Sequence, residues 1–299
     1  MTISEDRDVV SNGTLGHPED SVDAKQSLIA RTVAGDERRR RRVRTLVVLC
    51  RFGVIIVALG LWELLSGRVV DEIFVSRPSD IIAALFDGIA ERRLLEHAWI
   101  TTSEAGLGFL IGVTVAIVLA LVIDSIPRAH EVIEPIVMAI YGIPKVALAP
   151  LFIIWFGLGI TSKIAISAFM VFFIVFISAV AGLSRTPSGM VQVARMMGAG
   201  RAKLLWQVRL PSASPEIFTA LKIVVPISMI GAVVGEFVSS QRGLGFFITR
   251  ATLSFDTAAA FSGVFMLMTI VLIMTAVLRF ADSRLLRWRS DKDQFVNLS

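Results

Sequence analysis

The chain of 299 residues has one cysteine, three histidines and one tyrosine, and only 18% of its side chains are charged. With Cys50 alone no intrachain disulfide can form, and the redox compartment is unconstrained. His17, His97 and His130 are scattered, without HExxH or any paired-ligand spacing, so no metal site is expected. No G-x-x-x-x-G-K-[ST] loop is present, and no nucleophile and base stand in a recognisable arrangement. No catalytic residue and no cofactor are therefore assigned. Average soluble domains carry about 25% charged residues. This chain is instead 55% hydrophobic with a mean hydropathy of +0.73, which places it in the membrane class.

About 20 residues at 1.5 Å each cover a hydrocarbon core of about 30 Å, so long apolar runs read as spanning helices. Such runs occur at about Thr45 to Leu65, Thr101 to Ile123, Val132 to Phe156, Ile164 to Leu183, Ile217 to Val238 and Phe261 to Ala281. The expectation is an all-α polytopic membrane protein with six transmembrane helices. Its expected parts are a disordered tail over 1–42, a first helix over 43–66, an extracytoplasmic segment over 67–100, a core of five helices over 101–283 with a polar loop at 184–216, and a tail over 284–299.

The arginine run 38–42 directly before an apolar segment reads as a positive-inside anchor rather than a nucleic-acid patch. It begins too far along the chain to belong to a cleaved signal peptide. Arg185, Arg195, Arg201, Lys203 and Arg209 make the loop 184–216 basic, and Arg284, Arg287, Arg289 and Lys292 do the same for the C-terminal end. The opposite loops carry fewer cations, Lys163 in one and Arg242 with Arg250 in another; the segment Arg68 to His97 holds four arginines but also six acids, which count little in the rule. Both termini and the 184–216 loop are therefore expected on the cytoplasmic side.

Within that loop, Gly198, Gly200 and Lys203 half suggest a phosphate-binding turn. The segment follows a spanning helix and not a strand, and Lys203 stands where a dinucleotide fingerprint needs a third glycine. The residues read better as two short helices around a glycine turn. Thr186 and Pro187 suit N-cap and N1, Val193, Met196 and Met197 form an apolar stripe, and Pro211 would stop the second helix. Ser214, Pro215 and Glu216 would then open the next span. On composition alone such a segment could also lie on the lipid surface among anionic headgroups.

The stretch QVARMMGAGRAKLLWQVRLP resembles the cytoplasmic motif of binding-protein-dependent ABC importer permeases: E-A-A, three residues, G, nine residues, I-x-L-P. Gln192, Val193 and Ala194 occupy the E-A-A places, Gly198 the glycine, and Val208, Leu210 and Pro211 the terminal places. The segments 143–159 and 233–248 resemble those of the permeases for nitrate, sulfonates, taurine and related small solutes. The resemblance implies the MetI-like fold of type I ABC importer permeases in a prokaryotic plasma membrane. It also implies a homodimer or permease pair, an extracytoplasmic solute-binding protein, and ABC ATPase subunits that receive the loop, with Ala199 and Gly200 at its turn.

Pro144, Lys145 and Pro150 interrupt the third apolar run. Broken helices in membranes occur where protein or a water cavity satisfies the backbone, and they point to substrate paths; a plain proline kink is the alternative. Lys145 is expected either to face a translocation cavity and favour anionic or polar solutes, or to snorkel. Glu236 reads as lining an external gate, pairing with Arg242, or resting at the interface, its position favouring the interface. Gly108 and Gly112 suit close helix packing, within one subunit or across a dimer. A secondary transporter or channel is the competing class, since it would use such intramembrane ionisable groups without ATP.

Overall fold

The computed structural model describes residues 46–47, 49–69, 71–126 and 129–285. The tail 1–42 with its arginine run, and Arg287, Arg289 and Lys292, lie outside the described residues. Residues up to Leu64 form one unit and those from Leu65 onward another. In the first, residues 49–64 are helical (α1), with side chains exposed almost all round. A helix apolar on every face suits lipid rather than water.

The second unit contains α2 (Pro78–Ala90), α3 (Arg93–Ser125), α4 (Ala129–Tyr141), a 3₁₀ turn at Lys145–Leu148, α5 (Ala149–Phe156) and α6 (Ile160–Ser184). It continues with α7 (Ser188–Met196), α8 (Arg201–Leu204), a π turn at Leu205–Arg209, α9 (Leu210–Ser239), α10 (Leu244–Leu253) and α11 (Thr257–Leu285). Among the described residues four helices are long and apolar enough to cross a membrane, or five if the bent pair α4–α5 counts as one span.

That pair decides between the two readings of its prolines. The run 132–156 is a broken helix of two arms bent by 81°, not a plain proline kink. Pro144 caps the intervening 3₁₀ turn, and Pro150 lies in the first turn of α5, where its missing N–H would have had no intrahelical partner. Pro135, by contrast, is inside α4.

The core is a three-helix stack of α3, α6 and α9. Along α3 the buried positions include Ala105, Gly108, Gly112, Ala116, Ala120 and Ile123, a stripe of mostly small residues three or four apart. This stripe lies on α6. A Cβ on Gly108 would overlap Ser167, and one on Gly112 would lie 2.6 Å from the Ala168 carbonyl. On the other side a Cβ on Gly231 of α9 would sit 2.6 Å from Ser167 Cα. Both neighbours thus reach α6 at backbone distance around one serine, whose hydroxyl donates to the Ser228 carbonyl at 2.9 Å. The GxxxG pair of α3 is used for packing inside one subunit. Below it Val171, Val175, Val224 and Phe176 complete the apolar core.

Candidate functional site

At one end of the stack α6 leads into a helical hairpin. Thr186 does not cap α7; its hydroxyl donates to the Leu183 carbonyl at 3.0 Å and closes α6, while Pro187 takes the N-cap place. The far end of α7 is a Schellman turn. Gly198 has φ of 79°, its N–H reaches the Arg195 carbonyl at 2.9 Å, and the Ala199 N–H reaches the Ala194 carbonyl at 3.0 Å. Ala194 and Gly198 are therefore the C3 and C′ positions of one cap, which explains physically the four-residue spacing between the last alanine of the motif and its glycine. Gly200 then caps α8. Leu204 is buried, and Leu205 and Leu210 pack against the core. Gln192 is exposed, as are Met196 and Met197 at 81% each.

Pro211 does not end the second arm of this hairpin, and no new helix opens at Ser214. The helix is continuous from Arg201 to Ser239. The chain widens into the π turn just before the proline, with Leu210 N–H bonded to the Leu205 carbonyl, and Pro211 falls in the first turn of α9. A π segment re-registers the backbone ladder and so accommodates a residue without a donor. Arg209 on that turn binds both oxygens of Asp124 at the end of α3, with Asp124 17% and Arg209 27% exposed. This link between hairpin and core had no signal in the local sequence, since the partners are 85 residues apart.

At the opposite end of α6 lies a buried polar cluster. Lys163, expected as a loop cation, is in the first turn of α6 and only 7% exposed. Its ammonium is 3.3 Å from Glu104 of α3 and donates to Ser240 Oγ at 2.8 Å. Glu104, 1% exposed, was passed over inside an apolar run. Glu236 is 2% exposed, enclosed by its neighbouring helices, and it does not pair with Arg242, whose guanidinium is 3.8 Å from Glu96. The Thr101 hydroxyl donates to Glu236 Oε1 at 2.7 Å, and the Gly245 N–H donates to Oε2.

The purpose of Glu236 is visible in those partners. Helix α10 begins with N–H groups that no residue of its own can satisfy. Gly243 N–H goes to His97 Nδ1 at 3.0 Å, Leu244 N–H to Thr101 Oγ1 at 2.7 Å, and Gly245 N–H to Glu236. A carboxylate there also complements the positive end of the helix dipole. Gly243, with φ of 107°, and Gly245 both lie where a Cβ would strike the Glu236 side chain. The G-E-F…G-L-G pattern of 233–248 is thus one device, an acid from α9 capping α10 through glycines. Beside it opens a cavity of about 760 Å³ whose lining includes Glu104, Lys163, Glu236, Arg242 and Thr249.

Lys145 is elsewhere. It sits in the break between α4 and α5, donates to the Tyr141 carbonyl at 2.9 Å, and rests 4.0 Å over the Tyr141 ring. Pro144 and Pro150 flank it, so the three form one feature of the bent pair, apart from the Glu236 cluster. Among the described residues no group of His, Cys, Asp and Glu could hold a metal ion.

Comparison with known proteins matches residues 108–287 to the family described as binding-protein-dependent transport system inner membrane component. A probable ABC transporter permease protein of Haemophilus influenzae is 32% identical over 78% of the chain and 94% of that protein. The formylaminopyrimidine transport permease ThiX of Halalkalibacterium halodurans is 29% identical over 77% of the chain and 91% of its own length. The taurine permease TauC of Escherichia coli is 28% identical over 77% and 86%. A chain of the MetNI methionine ABC transporter, solved in inward-facing conformations, superposes with a TM-score of 0.51 at 20% identity, covering 66% of this chain and 94% of that one. The chain belongs to the binding-protein-dependent inner-membrane component family and is a multi-pass ABC importer permease with the MetI-like fold.

Proposed function

We propose that this permease forms, as a homodimer or with a second permease, the translocation path for a small polar or anionic organic solute of the nitrate, sulfonate or taurine class, or a similar one. A binding protein delivers the solute at the end carrying Glu236, and ATPase subunits engage the other end. Both termini and the 184–216 loop lie on the cytoplasmic side, where the loop arginines satisfy the positive-inside rule. Chemistry resides in the ATPase, and this chain supplies no catalytic group.

The observation that carries this reading is the hairpin from Gln192 to Pro211. It projects two fully apolar methionines at its tip, which is unfavourable for a free surface and well suited to an adaptable protein contact. It is also the start of the continuous helix to Ser239, so displacement of the tip is felt at the Glu236 cap. The domain limits, the coupling role of Val193, Ala194, Val208 and Leu210, and the path role of Pro144, Lys145, Pro150 and Glu236 are parts of this proposal.

Single cysteines at 199–203, in a chain whose Cys50 has been replaced, test it in the complete transporter. At least one, with Gly200→Cys the first choice, is expected to crosslink to the ATPase with a yield that changes with bound nucleotide. No crosslink at any of the five positions would refute the docking. ATP-independent uptake in vesicles would instead support a secondary transporter or channel.

A further inference from the structure

Under the hairpin, between its two arms and the last turn of α3, lies a second cavity of about 280 Å³. Its polar lining is Asp124 and Ser125 from α3, Arg195 from α7, Arg201 from α8 and Arg209 from the π turn. Asp124 is the single acid among these, and Arg209 already holds it. Arg195 and Arg201 form no ion pair among the described residues. The cavity is therefore lined by two exposed guanidinium groups without a carboxylate partner among the described residues, one from each arm of the hairpin.

Like charges lining one cavity repel each other modestly through solvent, and an anion between them removes that cost. Guanidinium forks match phosphate oxygens in pairs, so two forks arriving from different directions favour a phosphate over a halide. A cavity of about 280 Å³ has room for a phosphate with part of its ester. Its depth is informative as well. The apolar run of α3 ends at Ile123, immediately before Asp124, and Trp206, 62% exposed, stands on the adjoining π turn. An exposed tryptophan and a change from apolar to charged residues mark the level of lipid headgroups.

We propose that this cavity binds the phosphate of an anionic lipid headgroup, drawn from the leaflet on the hairpin side and held between Arg195 and Arg201. A free phosphate would meet the same two forks, but the position at the hydrocarbon boundary favours the lipid-borne group. Bound there, the headgroup lies against the Asp124–Arg209 link and stiffens the joint between hairpin and core. The proposal rests on the hairpin lying at the membrane surface, as the proposed function has it, and its Arg201 falls within the 199–203 segment tested for docking, so ATPase co-purification is followed beside the midpoint.

The test measures the thermal midpoint of the complete transporter in detergent with added phosphatidylglycerol, phosphatidylcholine or inorganic phosphate. Phosphatidylglycerol is expected to raise the midpoint above that in phosphatidylcholine. In Arg195→Gln/Arg201→Gln most of that rise is expected to disappear, with affinity falling at least about tenfold, the factor for losing one charge-assisted contact. Arg195→Lys/Arg201→Lys, which keeps charge but loses the forks, is expected in between. Arg185→Gln, on the same side but outside the cavity, is expected to keep the rise. If inorganic phosphate alone gives an arginine-dependent rise, the phosphate site stands and its ligand is soluble. A rise that survives the double Gln variant, or no rise with either phosphate source, overturns the proposal. Loss of ATPase co-purification with the rise intact would assign these arginines to docking, and the importer reading would stand without the lipid site.

Discussion

Replacing Lys163 by methionine tests whether the buried cluster is held by charge pairing. Lys163 is 7% and Glu104 1% exposed, and the two are 3.3 Å apart. Removal of the ammonium leaves the Glu104 carboxyl buried without a cation and Ser240 without its donor. Breaking a buried pair on one side costs about 3–5 kcal/mol where a charge is stranded, and less where the carboxyl takes up a proton. On the scale of ~2–4 °C per kcal/mol for a domain of this size, a stranded charge would lower the midpoint by roughly 6–20 °C and a neutralised one by less. The companion variant Lys163→Met/Glu104→Leu removes both charges and fills similar volume. Buried pairs replaced by apolar residues are often neutral or better, so the double variant should regain most of the loss. Thermal melts of the detergent-purified permease, with the single Glu104→Leu completing the cycle, give the coupling directly. A single-variant loss below about 1 kcal/mol, or a double variant no better than Lys163→Met, would refute the pairing argument.

Three further outcomes follow from particular contacts. Gly231→Ala places a Cβ 2.6 Å from Ser167 Cα and should destabilise by about 1–3 kcal/mol in melts, whereas Gly189→Ala in α7, with nothing within 4 Å, should be neutral; equal melts would show that the three-helix stack is looser than described. Lys145→Ala removes a cation from the Tyr141 carbonyl and from the Tyr141 ring, each worth about 0.3–1 kcal/mol, so stability should fall only modestly while solute uptake falls; unchanged affinity and rate would remove Lys145 from the path. Gly198→Ala puts a side chain at φ of 79°, which disfavours the Schellman turn, and should lower ATPase co-purification without unfolding the core; normal co-purification would show that the turn geometry is dispensable.

Hydropathy made most of the spans legible, because lipid-facing surface leaves no alternative to a run of apolar residues. The hairpin was legible too, since Gly198 and Gly200 punctuate a basic, periodic segment. Pairings across the stack were not. Glu104 lies in the string TTSEAGLGFL and Lys163 in GITSKIAIS, and neither string states that the other exists. A count of acids inside apolar runs would have found Glu104, since an intramembrane carboxyl is expected to have a partner. The partners of Glu236 were hidden for a related reason. The residues 239–242 fold back with Gly243 and Gly245 so that the N-terminus of α10 meets the carboxyl, a contact that no local pattern states.

Pro211 sits at the mechanically decisive point of the chain, where the hairpin runs into the spanning helix. A proline stop would have separated the hairpin from the spanning helix by a hinge, so that motion of the tip dissipated in a loop. The π turn instead carries the helix through the proline, giving an element of 39 residues from Arg201 to Ser239, about 58 Å if straight. One end carries the surface proposed to meet the ATPase, and near the other Glu236 holds the start of α10. A helix is stiff along its axis but bends where its ladder is broken, and here the breaks are the π turn, Pro215 and Pro226. The Asp124–Arg209 link grips the rod at the first of these breaks and ties the end of α3 to the hairpin. Asp124→Asn should therefore leave ATPase binding intact and lower solute uptake per ATP hydrolysed. An unchanged ratio would mean that the rod moves as one body and that the grip at Arg209 transmits nothing.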